Sequence, residues 1–288
     1  MMEFAHRMRE DLILRGMSER TQESYIRAVR KLEQFTDKNA YKVTEEELRK
    51  YFIDLLEVKK FSVAAFKIAF YGIRFYYTAT LQRKWPLFDQ VKPKDEKKLP
   101  VVLSTEEVRR LLGAVKLFRF YAFLSTVYSC GLRLQEALNL QVGDISKDRM
   151  VIHIRNGKGA GDRYVPLPHA TLTILRKYWT THKNKTLLFP GLGRTGKGDS
   201  TTTEPMSRTS VQKTMKLALA DAGIVKKAHI HTLRHSYATH LLEEGVSLKL
   251  IQQYLGHSLI QTTLIYVHLT KKCHDQAYTK IDRLMCNL

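Results

Sequence analysis

The sequence predicts a mainly α-helical protein that carries one small β-hairpin or three-stranded sheet. Apolar residues recur at helical spacing along most of the chain, and two capping boxes mark places where helices begin. Only residues 148–168 combine alternating apolar residues with a glycine-rich hairpin turn. A charged segment framed by prolines interrupts the helical pattern, and 288 residues suffice for two domains. We therefore expect a helical N-terminal domain over 1–88, a linker over 89–102 and a second domain over 103–288.

The chain is strongly basic. Its 48 Lys and Arg residues outnumber 28 Asp and Glu residues, which gives a formal net charge of +20. Residues 101–288 carry +14 of this charge, whereas residues 1–90 carry +4. Such an excess favours a polyanionic partner, and the alternative is a basic enzyme with an unrelated substrate.

Cysteine content and hydropathy bear on the compartment. Three cysteines without a CxxC pair indicate a reducing environment and no disulfide framework. The N-terminus lacks the apolar stretch of a signal peptide, and no apolar run is long enough to span a bilayer. We expect a soluble, cytoplasmic protein without a membrane partner.

Residues 1–90 have only helical patterns. A helix is expected over 18–35, and Thr44 with Glu47 forms a capping box that opens the next one. In the aromatic segment 61–81, we expect more than half of the seven rings in the core, with stacking on nucleic acid as the alternative. The predicted buried faces are Tyr25, Val29, Leu32 and Phe35 in the first helix and Leu48, Phe52, Leu55 and Leu56 in the second.

The second domain begins at a capping box formed by Ser104 and Glu107. A nearly apolar helix over 118–129 is expected to end at Gly131. Beyond the hairpin, the run 187–189 predicts an edge strand. Further helices are expected over 170–180, 208–222, 232–244, 247–255 and 258–270, the last capped by Ser258.

Several side chains could carry chemistry, although each also has a structural explanation. Arg133 lies at the start of a helix, and Glu136, three residues on, is its structural partner. Lys158 stands in the glycine-rich turn, where it can reach a phosphate or remain solvated. Tyr266 is predicted two turns into the last helix, and a lone helical tyrosine is usually a core residue.

Metal and nucleotide sites are disfavoured. His231 and His235 have the i,i+4 spacing of a metal pair, but the glutamate of an HExxH motif is missing. The loop over 191–205 resembles a P-loop, yet Gly198 stands where the magnesium-binding Ser or Thr should be.

Taken in order, these segments resemble the tyrosine recombinase (phage integrase) family. The resemblance extends over about residues 5–270, and the order and spacing of the motifs match. The first helices, with Thr21, Tyr25 and Phe35, resemble the SAM-like core-binding domain of that family. One minor departure is Gln135, where relatives often have Ser. The motifs are 131–136 (GLRLQE), 157–159 (GKG), 163–167 (RYVPL), 231–236 (HTLRHS), 255–257 (LGH) and 262–266 (TTLIY).

This resemblance implies an enzyme that cuts and rejoins DNA through a 3′-phosphotyrosyl intermediate, with no metal or other cofactor. A SAM-like helical core-binding domain and a C-terminal catalytic domain would clamp the duplex. The implied partners are double-stranded DNA with paired core sites and three further protomers in a homo-tetramer, or a related recombinase in a hetero-tetramer. The protein would associate with the nucleoid when bound to DNA.

The resemblance also implies the role of each site residue. Tyr266 would attack the scissile phosphate, whose nonbridging oxygens Arg133 and Arg234 would hold. Lys158 would protonate the leaving 5′-oxygen. His231 would act as the general base or as a proton shuttle, and His257 would hydrogen-bond the phosphate or buttress it. The implied catalytic set is Arg133, Lys158, His231, Arg234, His257 and Tyr266.

The biological role has two alternatives within the family. The run over 164–190 resembles integrases carried by insertion elements, which favours a mobile-element recombinase. The compact length also fits a Xer-like resolvase of chromosome or plasmid dimers. A different class, a catalytically inactive DNA-binding relative, should have lost a member of the catalytic set, and none is lost.

Overall fold

A computed structural model describes residues 3–93, 99–155, 161–193 and 200–267 of the chain. The protein divides into two compact units, Met1–Lys98 and Leu99–Leu288. Lys158 lies outside the described residues, as do part of the predicted linker and the end of the predicted last helix. Within the described ranges, no helix is both long and apolar enough to cross a membrane.

The described residues of the N-terminal unit form helices joined by short turns. Ser18 and Ser62 cap two of them through their hydroxyl groups, and the predicted capping box of Thr44 and Glu47 is present. Two helices end in a π-helical turn, at Asp54–Val58 and at Tyr76–Thr80. The helices are α1 (Glu3–Leu14), α2 (Glu19–Thr36), α3 (Glu45–Ile53), α4 (Val63–Phe75) and α5 (Leu87–Gln90), with a 3-10 turn at Ala40–Lys42.

The predicted buried faces of α2 and α3 are only partly confirmed. Phe35 is 40% exposed and Leu56 is 47% exposed, so these two predictions were wrong. Phe35 lies next to the last residue of α2, where its ring contacts Tyr51 and Lys59 Nζ lies 5.3 Å from the ring centroid. Leu56 is one helical step from the buried Leu55, which turns it about 100° away from the core.

More than half of the rings in the aromatic segment lie in the core of this unit, as predicted. Five of the seven rings are buried, and they belong to the same hydrophobic cluster as Leu87 and Phe88 of α5. Phe88 is buried among them, and α5 continues to Gln90, so the helical structure extends two residues into the predicted linker. The buried rings of the segment are Phe66, Phe70, Phe75, Tyr76 and Tyr77.

The C-terminal unit consists of helices around one small antiparallel sheet with strand order β1-β2-β3. The mainly α fold with a three-stranded sheet is therefore confirmed. In the hairpin, Ile152 pairs with Val165 and Ile154 pairs with Arg163, so these four side chains share the buried face. The elements are α6 (Thr105–Gly113), α7 (Phe118–Ser129), α8 (Leu134–Leu138), β1 (Ile145–Ser146), β2 (Val151–Ile154), β3 (Arg163–Pro166), α9 (His169–His182), α10 (Arg208–Asp221), α11 (Ile230–Glu243), α12 (Leu248–Leu255) and α13 (Gln261–Leu264).

Two predictions for this unit were wrong. Residues 187–189 do not join the sheet; Leu187 makes only an isolated bridge to Gln141. The predicted helix over 258–270 is reduced, within the described residues, to the single turn α13, which Ser258 does not cap. Tyr266 follows α13 in a turn rather than lying two turns into a helix.

Local packing fixes the two turns that position the site. Gly131 adopts a left-handed conformation (φ +61°) after α7, and an added Cβ there would lie 2.5 Å from the Tyr237 ring. Gly256 (φ +60°) ends α12 in the same way. Tyr266 and Tyr237 are buried in a small cluster with Ile251 and Leu255, apart from the main core of the unit.

Candidate active site

The site is assembled around the carboxylate of Glu136. The backbone N–H of Arg133 donates to Glu136 Oε2 at 2.8 Å, as in the second half of a capping box. Arg133 Nη1 also donates to Oε1 at 2.7 Å, which confirms the local ion pair predicted from the i,i+3 spacing. Arg133 remains 26% exposed, so part of its guanidinium can still reach a ligand.

Two further arginines surround the same carboxylate. Arg163, on β3, donates through both terminal nitrogens to Glu136, at 3.0 Å and 2.8 Å. Arg234, on α11, places Nη1 3.8 Å from Glu136 Oε2. Burial raises the pKa of Glu136, but hydrogen bonds and charge from Arg163, followed by those from Arg133, outweigh it and lower the pKa to about 2. Glu136 is therefore ionised at neutral pH and is shared by three cations.

The same three arginines bind the end of α12. Arg163 Nε donates to the carbonyl of Tyr254 at 2.8 Å, and Arg234 Nη2 donates to that of Leu255 at 2.5 Å. Arg133 Nη2 donates to the carbonyl of Gly256 at 3.3 Å. The last carbonyls of a helix lack partners within the helix and carry partial negative charge, so cations are favoured there.

Arg234 is the most enclosed of the three cations. Only 4% of its side chain is exposed, and Nη1 also donates to the carbonyl of Gly131 at 2.7 Å. Burial and the charge of Arg133 lower the pKa of Arg234, whereas Glu136 raises it. Its guanidinium is held by fixed backbone acceptors on two turns, after α7 and at the end of α12.

His257 and Tyr266 lie together beside the arginines. Their rings stack at 6.4 Å between centroids, with an interplanar angle of 15°. His257 Nδ1 is hydrogen-bonded to the Thr263 hydroxyl at 2.9 Å. Burial, followed by Arg234 and Arg133, lowers the pKa of His257 to about 3, so the ring is neutral at neutral pH.

The Tyr266 hydroxyl is hydrogen-bonded to His235 Nδ1 at 3.0 Å. Burial lowers the pKa of His235 to about 4, with His231 and Arg234 contributing, so this ring is also neutral at neutral pH. Only 1% of Tyr266 is exposed. Burial raises the pKa of the phenol, and the charges of Arg234 and Arg133 act in the opposite direction.

His231 lies in the first turn of α11 and is exposed. Burial of part of the ring lowers its pKa, with smaller contributions from His229, Arg234, Arg133 and Arg208. The backbone N–H of His229 donates to the Thr232 hydroxyl at 3.1 Å at this end of α11. His231 is therefore uncharged at neutral pH and able to accept a proton.

Five of the six residues singled out in the sequence thus meet in one region, and Lys158 lies outside the described residues. Sequence reasoning missed two participants, Arg163 and His235. Arg163 alternates with the apolar Val165 on β3, and an arginine on the buried face of a strand is a recognisable signal. His235 was considered only as a metal ligand, although it directly follows Arg234.

Comparisons with known proteins indicate the family of this chain. Residues 101–272 match the phage integrase family, and residues 4–87 match the N-terminal SAM-like domain of phage integrases. A putative integrase/recombinase of Sinorhizobium fredii is 38% identical over 91% of this chain and 83% of its own length. The tyrosine recombinase XerA of Thermococcus kodakarensis is 37% identical over 67% of this chain and 68% of its own.

A solved structure has the same fold. The Tn1549 transposon integrase, solved with transposon right end DNA, has a TM-score of 0.71 at 19% identity, covering 98% of this chain and 99% of that one. The family match covers more than half of the chain, and it includes every residue of the site described above. The chain therefore belongs to the phage integrase family of tyrosine recombinases.

Proposed function

We propose that this recombinase breaks and rejoins DNA strands at specific sites with Tyr266 as its nucleophile. The observation that supports this most directly is the place of the phenol. Its hydroxyl contacts the neutral His235, and although burial raises the pKa of the phenol, the charges of Arg234 and Arg133 oppose that rise. An attacking phenol needs both a proton acceptor and cations that stabilise charge on the phosphate.

In the proposed reaction, Tyr266 Oη attacks the scissile phosphorus and forms a new P–O bond. The bond from phosphorus to the 5′-oxygen breaks, which leaves a 3′-phosphotyrosine and a free 5′-hydroxyl. The phenol proton passes to a histidine, and Lys158, assigned by motif alone, supplies a proton to the 5′-oxygen. In rejoining, a 5′-hydroxyl attacks the phosphotyrosine and the proton transfers reverse. One phosphodiester bond replaces another, so the balance requires no nucleotide cofactor.

Arg133 and Arg234 would stabilise the additional charge on the nonbridging oxygens in the transition state. His257 would donate a hydrogen bond from Nε2 if the Thr263 hydroxyl donates to its Nδ1, because a neutral ring then carries its proton on Nε2. Since Tyr266 is fully buried, attack on a phosphate requires the segment after α13 to move outward.

Two histidines are candidates for the base. The family resemblance implies His231, which is exposed and neutral at neutral pH. His235 is the histidine whose ring nitrogen contacts the phenol. We expect His231→Gln and His235→Gln to differ in a single-turnover pH profile. Loss of the base should remove the rise of rate with pH, whereas loss of a positioning contact should lower the rate at every pH.

The principal experiment measures covalent capture of DNA. Sequencing DNA ends trapped on the wild-type protein in cells identifies the core site, and a nicked duplex of that site then serves as a suicide substrate. We expect Tyr266→Phe to bind this duplex like the wild type and to form no covalent adduct. The matched control is Tyr178→Phe, because Tyr178 is also a buried tyrosine but lies on α9, and this variant should form the adduct. Failure to trap DNA on the wild type in cells, or absence of an adduct with the wild type on the trapped site, would refute the enzymatic proposal in favour of an inactive DNA-binding relative.

We also propose that the N-terminal unit is the core-binding domain. We propose further that a homo-tetramer joins the paired core sites, and the alternative is a hetero-tetramer with a related recombinase. The family match of residues 4–87 to a SAM-like integrase domain supports the first part. The excess of positive charge supports a large sequence-independent component of DNA affinity. Cross-linking on a two-site duplex should give a four-protomer species, and a two-protomer limit would contradict the tetramer.

We propose a mobile-element role, with dimer resolution as the alternative. The S. fredii relative, named an integrase/recombinase, matches 91% of the chain, and the XerA relative matches 67%. Recombination assays on the trapped site distinguish the roles. Excision of a segment that carries element ends supports the mobile-element role. A reaction confined to two identical sites on a plasmid dimer supports dimer resolution.

A further inference from the structure

We propose that Arg163 is a positioning residue for strand cleavage. It fixes Glu136 and the end of α12, and through them it sets the positions of Arg133, Arg234 and His257. This inference rests on the proposed function, and it adds to the site a residue that does not touch DNA.

Each nitrogen of the Arg163 guanidinium donates a hydrogen bond inside the protein. Nη1 and Nη2 both donate to Glu136, and Nε donates to the carbonyl of Tyr254. Its side chain is 6% exposed, and a guanidinium buried to this extent needs a charged partner, which here is the Glu136 carboxylate. All three nitrogens of Arg163 therefore donate either to the Glu136 carboxylate or to a backbone carbonyl, which is the arrangement of a residue that holds other parts of the site in position.

The carboxylate of Glu136 and the end of α12, which Arg163 holds, also orient Arg133 and Arg234. Three consecutive carbonyls, of residues 254–256, each accept from a different arginine. Glu136 lies within 4 Å of all three guanidiniums. A shift of Glu136 or of the end of α12 therefore changes the positions of Arg133 and Arg234 together.

The turn that carries His257 is packed directly on Arg163. A Cβ added to Gly256 would lie 2.8 Å from Arg163 Cδ and 3.1 Å from Nε and Nη1. The left-handed backbone at Gly256 and the absence of a side chain together allow this close approach. Arg163 thus supports the residue immediately before His257 as well as the arginines.

Stability alone is an incomplete explanation for this arrangement. A buried ion pair is often replaceable by apolar side chains without loss of stability, because desolvation offsets much of the attraction. Precise positioning matters more for the reaction rate than for stability, since a displacement of about 1 Å in a positioning element can lower the rate on the order of 100-fold. If Arg163 serves stability alone, a folded conservative variant should cleave at the wild-type rate, whereas a positioning role predicts slower cleavage.

The test uses the full chain and a suicide duplex of its core site. Arg163→Lys keeps the charge but cannot bind both oxygens of Glu136 and the Tyr254 carbonyl at once. We expect the single-turnover cleavage rate to fall on the order of 10- to 100-fold, with the Kd for DNA changed less than about threefold. The matched control is Arg110→Lys, because Arg110 donates to the Ala222 carbonyl at the end of another helix, away from the site. The control should cleave at the wild-type rate.

A double-mutant cycle distinguishes positioning from a separate structural effect. If Arg163 acts through Arg133, the loss caused by Arg163→Lys should be at least about threefold smaller in an Arg133→Lys chain. Equal losses in both backgrounds, or a folded Arg163→Lys protein that cleaves at the wild-type rate, would overturn the proposal. Should Arg163→Lys not fold, Glu136→Asp tests the same contact with a shorter carboxylate and the same expectation. An adduct formed by the wild type keeps the proposed function intact whichever result is obtained.

Discussion

Replacing Glu136 with Gln tests the electrostatic core of the site. The substitution keeps the size of the side chain and one acceptor oxygen, but it leaves Arg133, Arg163 and Arg234 around a neutral amide. All three guanidiniums lie within 4 Å of the carboxylate, and the Glu136 side chain is 7% exposed. Removing one partner of a buried ion pair leaves uncompensated charge, which is strongly destabilising.

The magnitude follows from the pKa of Glu136. Lowering this pKa from 4.5 to about 2 makes the ionised carboxylate stabilise the folded C-terminal unit by about 3 kcal/mol at pH 7. Because the folded-state pKa is below that of the unfolded chain, the stabilisation is complete above the unfolded value and is lost as the pH falls towards 2. At pH 3.5 about 2 kcal/mol should remain. Glu136→Gln should therefore lower the free energy of unfolding by about 3 kcal/mol at pH 7 and by about 1 kcal/mol less at pH 3.5.

Urea unfolding followed by tryptophan fluorescence is a suitable assay. The chain has two tryptophans, Trp85 in the N-terminal unit and Trp179 in the C-terminal unit. A Trp85→Phe background leaves Trp179 as the single reporter of the unit that contains Glu136. Comparing m-values between Glu136→Gln and its parent tests whether the same surface unfolds. The reasoning would be refuted by a loss below about 1 kcal/mol at pH 7, or by a loss that is the same at both pH values.

The remaining predictions concern glycines and use paired variants. Gly256→Ala should destabilise the protein by about 2–3 kcal/mol and slow cleavage, because the added Cβ would lie 2.8 Å from Arg163. Gly245 also has a positive φ (+84°), but a Cβ there would meet nothing within 4 Å. Gly245→Ala should therefore destabilise by about 1 kcal/mol and leave the cleavage rate unchanged. Equal urea-unfolding losses for the two would contradict this. Gly72→Ala should destabilise the N-terminal unit by about 1–3 kcal/mol, because its Cβ would lie 2.9 Å from the backbone of α2. Gly113→Ala, at the end of α6 with open space around it, should leave the free energy of unfolding unchanged or raise it by up to about 1 kcal/mol. A lower free energy of unfolding would show that helix propensity does not determine the effect of this substitution.

Local sequence signals predicted the parts of the fold that depend on neighbouring residues. Both capping boxes, the hairpin and the helix stop at Gly131 are present, because each is fixed by contacts within a few residues. The short helix after Gly256 was overestimated. The run over 258–270 has helical periodicity, but within the described residues the chain turns after Leu264 and Tyr266 packs into the cluster of α11 and α12. Periodicity does not determine where such packing ends a helix.

The sequence by itself determined the family, the candidate residues and the Arg133–Glu136 pair, since three residues of separation at a helix start impose that contact. Only the tertiary structure decided which side chains hold this pair in place. Arg163 reaches Glu136 across 27 residues and the Tyr254 carbonyl across 91, because β3 packs against the end of α12. His235 reaches the Tyr266 hydroxyl across 31 residues in the same way. Contacts at such separations depend on how elements pack, and no spacing along the chain specifies them.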